Sequence, residues 1–313
     1  MKVAGIDCGT NSIRLLIADI EPGRPLRDLE RTMQIVRLGQ GVDRTGRFAE
    51  DALERTFASA EYYAELCRQH EVEDIRFVAT SATRDAENRD VFITGIEQRL
   101  GVTPQVISGQ REAQLSFAGA TSVIDATDPV AVVDLGGGST EIVVGTAAEG
   151  VTGSYSMNIG CVRMQERHFT ADPPTPEQIE SARRDIRAAL DQALERVDIS
   201  RATNVVGLAG TVTTLTARAL GLSTYDPAAI DGARLTLDQV YEACDWLMTA
   251  GRDERAAEGY MHPGRIDVIA AGALVWSEVV RRCAEEMPGL TSVTASEHDI
   301  LDGIALWAAG LIA

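Results

Sequence analysis

The chain is almost without lysine. Lys2 is the only one in 313 residues, and the remaining basic side chains, apart from four histidines, are arginines. A Walker-type phosphate loop needs a lysine that reaches the phosphates, so nucleotide-binding proteins of that class are excluded. Lysine Schiff-base chemistry is excluded as well, unless Lys2 itself performs it. Arginine, whose planar fork matches phosphate oxygens, must therefore make any side-chain contact to an anionic ligand.

Paired cysteines and clustered histidines are also missing. The cysteines form no CxxC pair, and the histidines are equally dispersed. An odd number of isolated cysteines argues against a disulfide framework, and the lack of Cys and His clusters argues against a zinc site. The five cysteines are at positions 8, 67, 161, 244 and 283, and the four histidines at 70, 168, 262 and 298.

Long apolar runs are absent too. No stretch approaches the roughly 18 apolar residues that a membrane span needs, and the most apolar segments, 268–276 and 304–313, are predicted to be buried helix. Residues 1–7 lack the apolar core and cleavage site of a signal peptide and are typical of a first strand. We therefore expect no membrane segment and a cytoplasmic location.

Positive charge is in deficit. The formal net charge is −18, so the basic face of a nucleic-acid-binding protein is not expected. Bulk charge would repel an anionic substrate. Such a substrate would need local help from backbone N–H groups, arginines and a metal ion.

The pattern of strands and helices predicts an α/β fold. Predicted strands include 2–7, 13–20, 32–38, 75–80 and 130–134, and predicted helices include 49–70, 89–100, 109–126, 176–197 and 266–286. Residues 80–84 are predicted as a polar loop. Residues 205–213 are predicted as a strand that runs into a glycine–threonine turn.

The beginning of this pattern repeats about 127 residues later. Both copies have an apolar strand, an aspartate, a glycine-containing turn, a hydroxyl residue and a second strand. The repeat predicts two related domains, 1–125 and 126–313, with the last helix, about 298–313, packing back on the N-terminal domain. Coincidence between two glycine turns is the alternative explanation.

The two glycine-containing turns are the candidate phosphate sites. We call residues 7–12 the first glycine loop and residues 134–139 the second glycine loop. Glycine lets the backbone approach a ligand closely and direct N–H groups at an anion. Each loop alone could be an ordinary hairpin turn. Because each follows an aspartate that ends an apolar strand, the pair favours a phosphate clamp in a cleft between the domains.

Three carboxylates near these loops are candidate metal ligands. Asp134 and Glu141 flank the second glycine loop, and Asp7, which we rank lower, precedes the first turn. Such groups could hold Mg²⁺, which prefers oxygen ligands. The alternative is an aspartate that caps its own turn.

Two further residues have open interpretations. Glu112 lies at the start of a predicted helix and could be a general base that activates water. From the residues alone, an acidic side chain that complements the helix dipole is the better explanation. Arg84 could clamp phosphate or could be an ordinary surface arginine.

Six motifs together resemble the exopolyphosphatase/guanosine pentaphosphate phosphohydrolase (Ppx/GppA) family of the actin–hexokinase–Hsp70 superfamily. The resemblance covers nearly the whole chain. The second and third motifs distinguish this family from the sugar kinases of the superfamily. In chain order the motifs are residues 5–14 (GIDCGTNSIR), 79–84 (ATSATR), 108–113 (SGQREA), 134–141 (DLGGGSTE), 158–163 (NIGCVR) and 207–213 (GLAGTVT).

The resemblance implies roles for individual residues and a fold of two actin-like, ribonuclease H-like domains with a cleft between them. Glu112 is implied as the catalytic base, and Arg84 as a phosphate contact. The implied phosphate-binding residues of the loops are Asn11, Ser12, Gly136, Gly137, Gly138 and Ser139. Asp134 and Glu141 are implied to lie near a divalent metal, Mg²⁺ or a similar cation. Family members are often homodimers, so a homodimer is expected.

Two departures from the family pattern bear on the substrate. Longer members carry additional helical C-terminal domains, so we expect a preference for short polyphosphate chains here. Residues 296–303 (SEHDILDG) stand where many members have a Leu-Arg-Glu-Gly-type segment, so a basic contact is expected to be missing.

The resemblance therefore predicts a metal-dependent exopolyphosphatase that releases terminal orthophosphate from polyphosphate. One alternative is guanosine pentaphosphate as the substrate of the same site. Others are a non-catalytic nucleotide or alarmone sensor and a kinase of the same superfamily. The presence of Glu112 argues against a sensor, which has no need of a base.

Overall fold

The computed structural model describes residues 1–21 and 23–312. Its contacts divide the chain into two compact units. Unit 1 comprises Met1–Val123 together with the C-terminal segment from Asp299, and unit 2 comprises Ile124–His298. Each unit has one mixed β-sheet, of five strands in unit 1 and six in unit 2. The predicted α/β class is thus confirmed.

Unit 1 has a sheet in the order β3-β2-β1-β4-β5, in which β1 runs antiparallel to β2 and parallel to β4. Its elements are β1 (Lys2–Cys8), β2 (Ser12–Asp19), β3 (Arg27–Ile35), α1 (Val42–Thr45), α2 (Glu50–Gln69), β4 (Asp74–Ala79), α3 (Ser81–Asp85), α4 (Arg89–Leu100), β5 (Gln105–Val106) and α5 (Gly109–Thr121).

Unit 2 repeats this plan with a sheet in the order β10-β11-β9-β6-β7-β8. Its elements are β6 (Val130–Leu135), β7 (Thr140–Thr146), β8 (Gly150–Met157), α6 (Cys161–His168), α7 (Pro176–Leu194), β9 (Asn204–Leu208), α8 (Ala209–Ala219), α9 (Pro227–Ile230), β10 (Arg234–Thr236), α10 (Leu237–Thr249), α11 (Arg252–Ala257), α12 (Ile269–Glu286) and β11 (Ser292–Ala295). The last helix, α13 (Ile300–Ala308), belongs to unit 1.

The central strand of unit 1 is buried on both faces. Ala4, Ile6 and Cys8 contribute to the core cluster that includes α2 and α4, while Val3 contributes to the cluster formed with α13. This alternation follows from the two-residue period of a strand. Gly5 faces α13, because an added Cβ would lie 3.1 Å from the Ala305 amide nitrogen.

The helices α5 and α13 pack closely through two glycines. A Cβ added at Gly119 would lie 1.8 Å from the Asp299 carbonyl oxygen, and one at Gly303 would lie 2.1 Å from the Leu115 carbonyl oxygen. Only residues without a side chain allow the two backbones to come this near. The contact positions α5, whose first turn carries Glu112.

Two of the local predictions are wrong. Residues 81–85 form the short helix α3 rather than a polar loop. The segment 205–213 does not end in a turn, because the strand β9 stops at Leu208 and α8 begins at Ala209. Ala209 starts that helix with a φ of 70°, which the sequence does not signal for a non-glycine residue. None of the helices in the described residues is long and apolar enough to span a membrane.

Candidate active site

The sheet of unit 1 brings three chain segments to one edge. The strands β1, β4 and β5 run parallel, with Cys8 paired to Ala79 and Ala79 paired to Val106. Their carboxyl ends therefore lie side by side, which is where α/β sheets place their ligand-binding residues. The segments that leave this edge are the first glycine loop, the helix that carries Arg84, and the start of α5 with Glu112.

Three carbonyl groups of the first glycine loop accept hydrogen bonds from backbone amides. The Gly9 amide donates to the Ser12 carbonyl at 2.9 Å and closes the turn. The Thr10 carbonyl accepts from the Gly39 amide at 2.8 Å, and the Asn11 carbonyl accepts from the Val36 and Arg37 amides at 3.1 and 2.9 Å.

The N–H groups of this loop are arranged differently. Within residues 1–21 and 23–312, the amides of Thr10 and Asn11 donate to no other group. Adjacent amides without internal acceptors are the feature of a backbone anion nest. The predicted phosphate-binding residues Asn11 and Ser12 belong to this turn.

Arg84 and Glu112 form an ion pair. Arg84 Nη1 donates to Glu112 Oε2 at 2.6 Å and also to the Ile107 carbonyl at 3.0 Å. The Glu112 side chain is only 10% exposed and that of Arg84 23% exposed. The Ser108 side chain caps α5 by accepting from the Arg111 amide at 3.2 Å, so Glu112 is not needed as the cap. The acidic side chain in this first turn is directed at an arginine.

Asp7 is engaged by a neighbouring arginine across the hairpin. Arg14, its partner in β2, donates to Asp7 Oδ2 from Nε at 3.0 Å and from Nη2 at 2.7 Å. Arg14 Nη1 also donates to Asp299 Oδ2. Burial raises the pKa of Asp7, although Arg14 opposes the shift. Asp7 Oδ1 is buried without a hydrogen-bond partner in the described part of the chain.

The second glycine loop is built in the same way in unit 2. The Gly136 amide donates to the Ser139 carbonyl at 3.0 Å. The Gly136 carbonyl accepts from the Cys161 amide at 3.0 Å, and the Gly137 carbonyl accepts from Val162 at 2.9 Å. The amides of Gly137 and Gly138 donate to no group among the residues that the structure describes. This loop therefore also offers adjacent N–H groups to an anion.

Asp134 and Glu141 lie beside each other on the sheet of unit 2. They are directly paired across β6 and β7, which places their side chains on the same face of the sheet. Both are buried, and Ser156 Oγ donates to Glu141 Oε1 at 2.6 Å. Glu141 occupies the position that Arg14 has in unit 1, since Asp134 and Glu141 each lie 127 residues after Asp7 and Arg14.

The donor set of Asp134 and Glu141 fits a Mg²⁺ ion. Mg²⁺ is held by one or two carboxylates and completes its octahedron with water and substrate phosphate oxygens. No group of three or more His, Cys, Asp or Glu side chains suited to a metal occurs in the described residues. A cation that needs three or more protein side chains as ligands therefore fits these residues less well than Mg²⁺ does. Asp7 fits less well, because its Oδ2 already accepts two hydrogen bonds from Arg14.

Four functional candidates were not predicted from the sequence: Arg14, Ser156, Arg163 and Asp299. Arg14 and Asp299 are 285 residues apart and meet only because α13 packs on β1 and β2. Arg163 lies within a motif that carries the family resemblance, yet its contact with the second glycine loop has no sequence signal. Ser156 lies on β8, a strand that the sequence pattern did not identify.

The chain belongs to the Ppx/GppA phosphatase family, whose model matches residues 16–307. The fold and the two glycine loops agree with this assignment. The family member from Aquifex aeolicus has a solved structure with a TM-score of 0.80, 30% identity, and coverage of 99% of this chain and 97% of that one. The predicted fold class of two α/β domains is confirmed, since each unit is built on one mixed sheet and nearly the whole chain matches a solved family member.

Two further relatives are similar over their full length. Exopolyphosphatase 2 from Mycobacterium tuberculosis is 50% identical over 318 residues, which cover 99% of each chain. The solved structure of an exopolyphosphatase from Cytophaga hutchinsonii has a TM-score of 0.87 and 25% identity, with 99% of this chain and 98% of that one covered.

Proposed function

We propose that this protein is an exopolyphosphatase, which hydrolyses the terminal phosphoanhydride bond of inorganic polyphosphate and releases orthophosphate. The substrate class follows the name of the relative that is 50% identical over 99% of each chain. The geometric observation that carries the reaction is the Arg84–Glu112 pair, with its contact of 2.6 Å, at the sheet edge from which the first glycine loop emerges.

The side chains of unit 1 suit a hydrolysis by water. Glu112 orients a water molecule and accepts one of its protons as the oxygen attacks the terminal phosphorus. The bond from that phosphorus to the bridging oxygen breaks, and the shortened polyphosphate leaves with the electron pair. Arg84 donates hydrogen bonds to the phosphoryl oxygens, where negative charge must be offset in the transition state.

The glycine loops bind and orient the phosphates. The unclaimed amides of Thr10, Asn11, Gly137 and Gly138 donate to phosphate oxygens, with Ser12 and Ser139 as the hydroxyl residues of the two turns. Gly136 allows the close approach of the second loop. Each loop thus offers N–H groups to phosphate oxygens, so that catalysis consists of positioning and electrostatic stabilisation.

Asp134 and Glu141 are the proposed ligands of Mg²⁺ or a similar divalent cation. When bound, the ion supplies positive charge that offsets the charge of the phosphates. The proposal is supported by the two carboxylates being buried next to each other on one face of the sheet.

The assay that tests the function measures orthophosphate release from short polyphosphate, long polyphosphate and guanosine pentaphosphate, with and without Mg²⁺. We expect Mg²⁺-dependent release from polyphosphate. Release from guanosine pentaphosphate alone would replace the proposed substrate by the alternative one. Binding of these compounds in calorimetry without any turnover would favour a sensor and contradict the hydrolase.

Two further properties are proposed with the function. We expect a homodimer, which light scattering of the purified protein measures directly. We also expect a cytoplasmic location, which fractionation of the source cells with an antibody against the chain would test.

A further inference from the structure

The backbone of the second glycine loop is only weakly restricted by its own residues. Its three consecutive glycines, Gly136, Gly137 and Gly138, have no side chains to restrict the backbone, and glycine loses more conformational freedom on ordering than any other residue. The corresponding positions of the first glycine loop are Gly9, Thr10 and Asn11. The second loop therefore depends more strongly on contacts from neighbouring segments.

The two loops are held by different groups. In the first loop, the carbonyl of Asn11 accepts from two backbone amides, those of Val36 and Arg37. In the second loop, the corresponding carbonyl of Gly138 accepts from a side chain, since Arg163 Nε donates to it at 2.7 Å. The Arg163 backbone amide also donates to the Gly137 carbonyl, at 3.1 Å. One residue at the start of α6 thus holds two successive carbonyl groups of the loop.

These contacts determine where the N–H groups of the loop point. The peptide unit is planar and trans, so its C=O and N–H groups point in opposite directions. Fixing the Gly137 carbonyl on α6 therefore directs the Gly138 N–H away from α6. Fixing the Gly138 carbonyl on Arg163 does the same for the Ser139 N–H.

The start of α6 also fits tightly against the loop. A Cβ added at Gly160 would lie 2.4 Å from the Gly137 carbonyl oxygen and 2.7 Å from the Gly138 nitrogen. Because these are backbone atoms, no small side-chain movement can make room for the added carbon. The start of α6 therefore both holds the loop, through Arg163, and limits how closely it can approach, through the backbone of Gly160.

We propose that Arg163 is a positioning residue of the active site, which orders the second glycine loop so that its N–H groups can bind the substrate phosphates. The inference rests on the proposed function, because it assigns these N–H groups to polyphosphate. Arg163 acts through the loop and is not itself assigned a contact with the reacting atoms.

The chain offers a matched control on the same helix. Arg167 lies four residues after Arg163 in α6, and its Nη1 is 3.5 Å from Asp185 Oδ2 on α7. Replacing either arginine by methionine removes the same charge from the same helix. The Arg163 change removes the hydrogen bond to the Gly138 carbonyl, whereas the Arg167 change removes the contact with Asp185.

The experiment compares wild type, Arg163→Met, Arg163→Lys and Arg167→Met in orthophosphate release from polyphosphate at saturating Mg²⁺. We expect kcat/KM to fall by about tenfold or more in Arg163→Met, with weaker product inhibition by orthophosphate. Arg163→Lys should recover part of the loss, because lysine can still donate to the Gly138 carbonyl. Arg167→Met should stay within about twofold of wild type. The melting temperatures should remain close, which separates loop positioning from general stability.

Equal losses in Arg163→Met and Arg167→Met, or full activity in Arg163→Met, would overturn the inference. If Arg163→Met does not fold, Gly160→Ala tests the same loop by displacing its backbone and should also weaken orthophosphate inhibition. An unchanged inhibition constant in a folded Gly160→Ala variant would again contradict the role. A wild-type protein that releases no phosphate would instead contradict the proposed function. The effect of Arg163 on the loop would then be read from orthophosphate binding by calorimetry.

Discussion

At the residue scale, Arg84 donates hydrogen bonds both to Glu112 and to the Ile107 carbonyl. Before substrate binds, each side chain satisfies the charge of the other at 2.6 Å in a largely buried position. In the proposed mechanism, an incoming phosphate competes with Glu112 for the Arg84 guanidinium. Because Arg84 also donates to the Ile107 carbonyl, we expect it to stay anchored while its carboxylate contact changes. We propose that Glu112 then orients the attacking water molecule.

Glu112→Gln is expected to abolish most of the hydrolysis and to retain polyphosphate binding. The amide has nearly the same shape as the carboxylate but cannot accept a proton from water. We expect kcat to fall by about 10²- to 10⁴-fold, the usual contribution of general base catalysis. Orthophosphate release and calorimetric binding would measure the two effects.

Asp90→Asn is the matched control for this change. Asp90 is an exposed acidic residue in the first turn of α4, as Glu112 is a buried one in the first turn of α5. We expect unchanged kinetics. A folded Glu112→Gln variant with wild-type kcat would refute the assignment of the base.

Ser156→Ala is expected to weaken activation by Mg²⁺. The hydroxyl orients Glu141 through a hydrogen bond of 2.6 Å, and loss of such a partner of a metal ligand costs about 10- to 100-fold in metal affinity. The measurement is the Mg²⁺ concentration for half-maximal activity. Ser154→Ala, two residues earlier on the same face of β8, should leave this value unchanged. A shift of the same size in both variants would count against Glu141 as a ligand.

At the element scale, the contact between α5 and α13 positions Glu112, the proposed base. The helix α5 carries Glu112 in its first turn, and its far end touches the start of α13 through Gly119. The same start of α13 provides Asp299, which pairs with Arg14 next to the first glycine loop. One helix contact therefore influences both the base and the loop within unit 1.

Gly119→Ala is expected to destabilise the protein by about 2 kcal/mol or more, because an extra carbon in a packed interface forces the backbones apart. The added Cβ would lie 1.8 Å from the Asp299 carbonyl oxygen. Urea denaturation would measure the loss, and kcat should fall with it. Gly289→Ala is the control, since nothing lies within 4 Å of a Cβ at that position. Equal stability of the two variants would contradict the close packing of α5 against α13 that the structure shows.

At the scale of the whole molecule, the cysteines are buried thiols rather than cross-links. All five are free and buried. Burial raises the pKa of Cys67 and Cys161 to about 11 and that of Cys283 to about 12, and it raises the pKa values of Cys8 and Cys244 well above the ordinary range. The folded protein therefore keeps these protons at pH values where the unfolded chain loses them.

The free energy of unfolding should consequently fall as the pH rises above about 9. Below the pKa of an unfolded thiol, roughly 8.5, both states are protonated and the thiols have no effect. Above it, each thiol lowers stability by up to about 1.4 kcal/mol per pH unit until its folded-state pKa is reached. Urea denaturation at pH 7.5 and 9.5 with a reducing agent would measure the slope. A double variant, Cys67→Ala with Cys283→Ala, should show a shallower slope, and equal stability of wild type at both pH values would contradict the account.

The local plan could be read from the sequence with good accuracy where the periodicity was strong. The helix predicted at 89–100 is observed with the same bounds, and the first strand, the helix at 49–70 and the second strand–turn–strand repeat differ by only a residue or two. The segment after β9 was predicted wrongly, because Ala209 begins a helix from a left-handed conformation that is uncommon for a non-glycine residue.

Only part of the candidate site could be predicted from the sequence. The loops and Asp134, Glu141, Arg84 and Glu112 stood out as residue types or through family resemblance. Their partners did not, because the pairs Arg84–Glu112 and Arg163–Gly138 are separated by 28 and 25 residues and carry no common motif. Which groups meet depends on strand order and helix packing.

The sequence by itself determined the chemistry that this protein has available. Two glycine loops with the same spacing to their aspartates, a chain with arginine in place of lysine, and alternating strands and helices already indicate phosphate binding in an α/β fold. These features are local, so each can be read from neighbouring residues. The tertiary structure decided which side chain each aspartate faces, since the residue paired across the hairpin is Arg14 for Asp7 but Glu141 for Asp134. Arg14 and Asp299 are distant in the chain and form their ion pair only because the segments that carry them pack together. Packing, rather than spacing along the chain, therefore determines which charged groups surround each carboxylate.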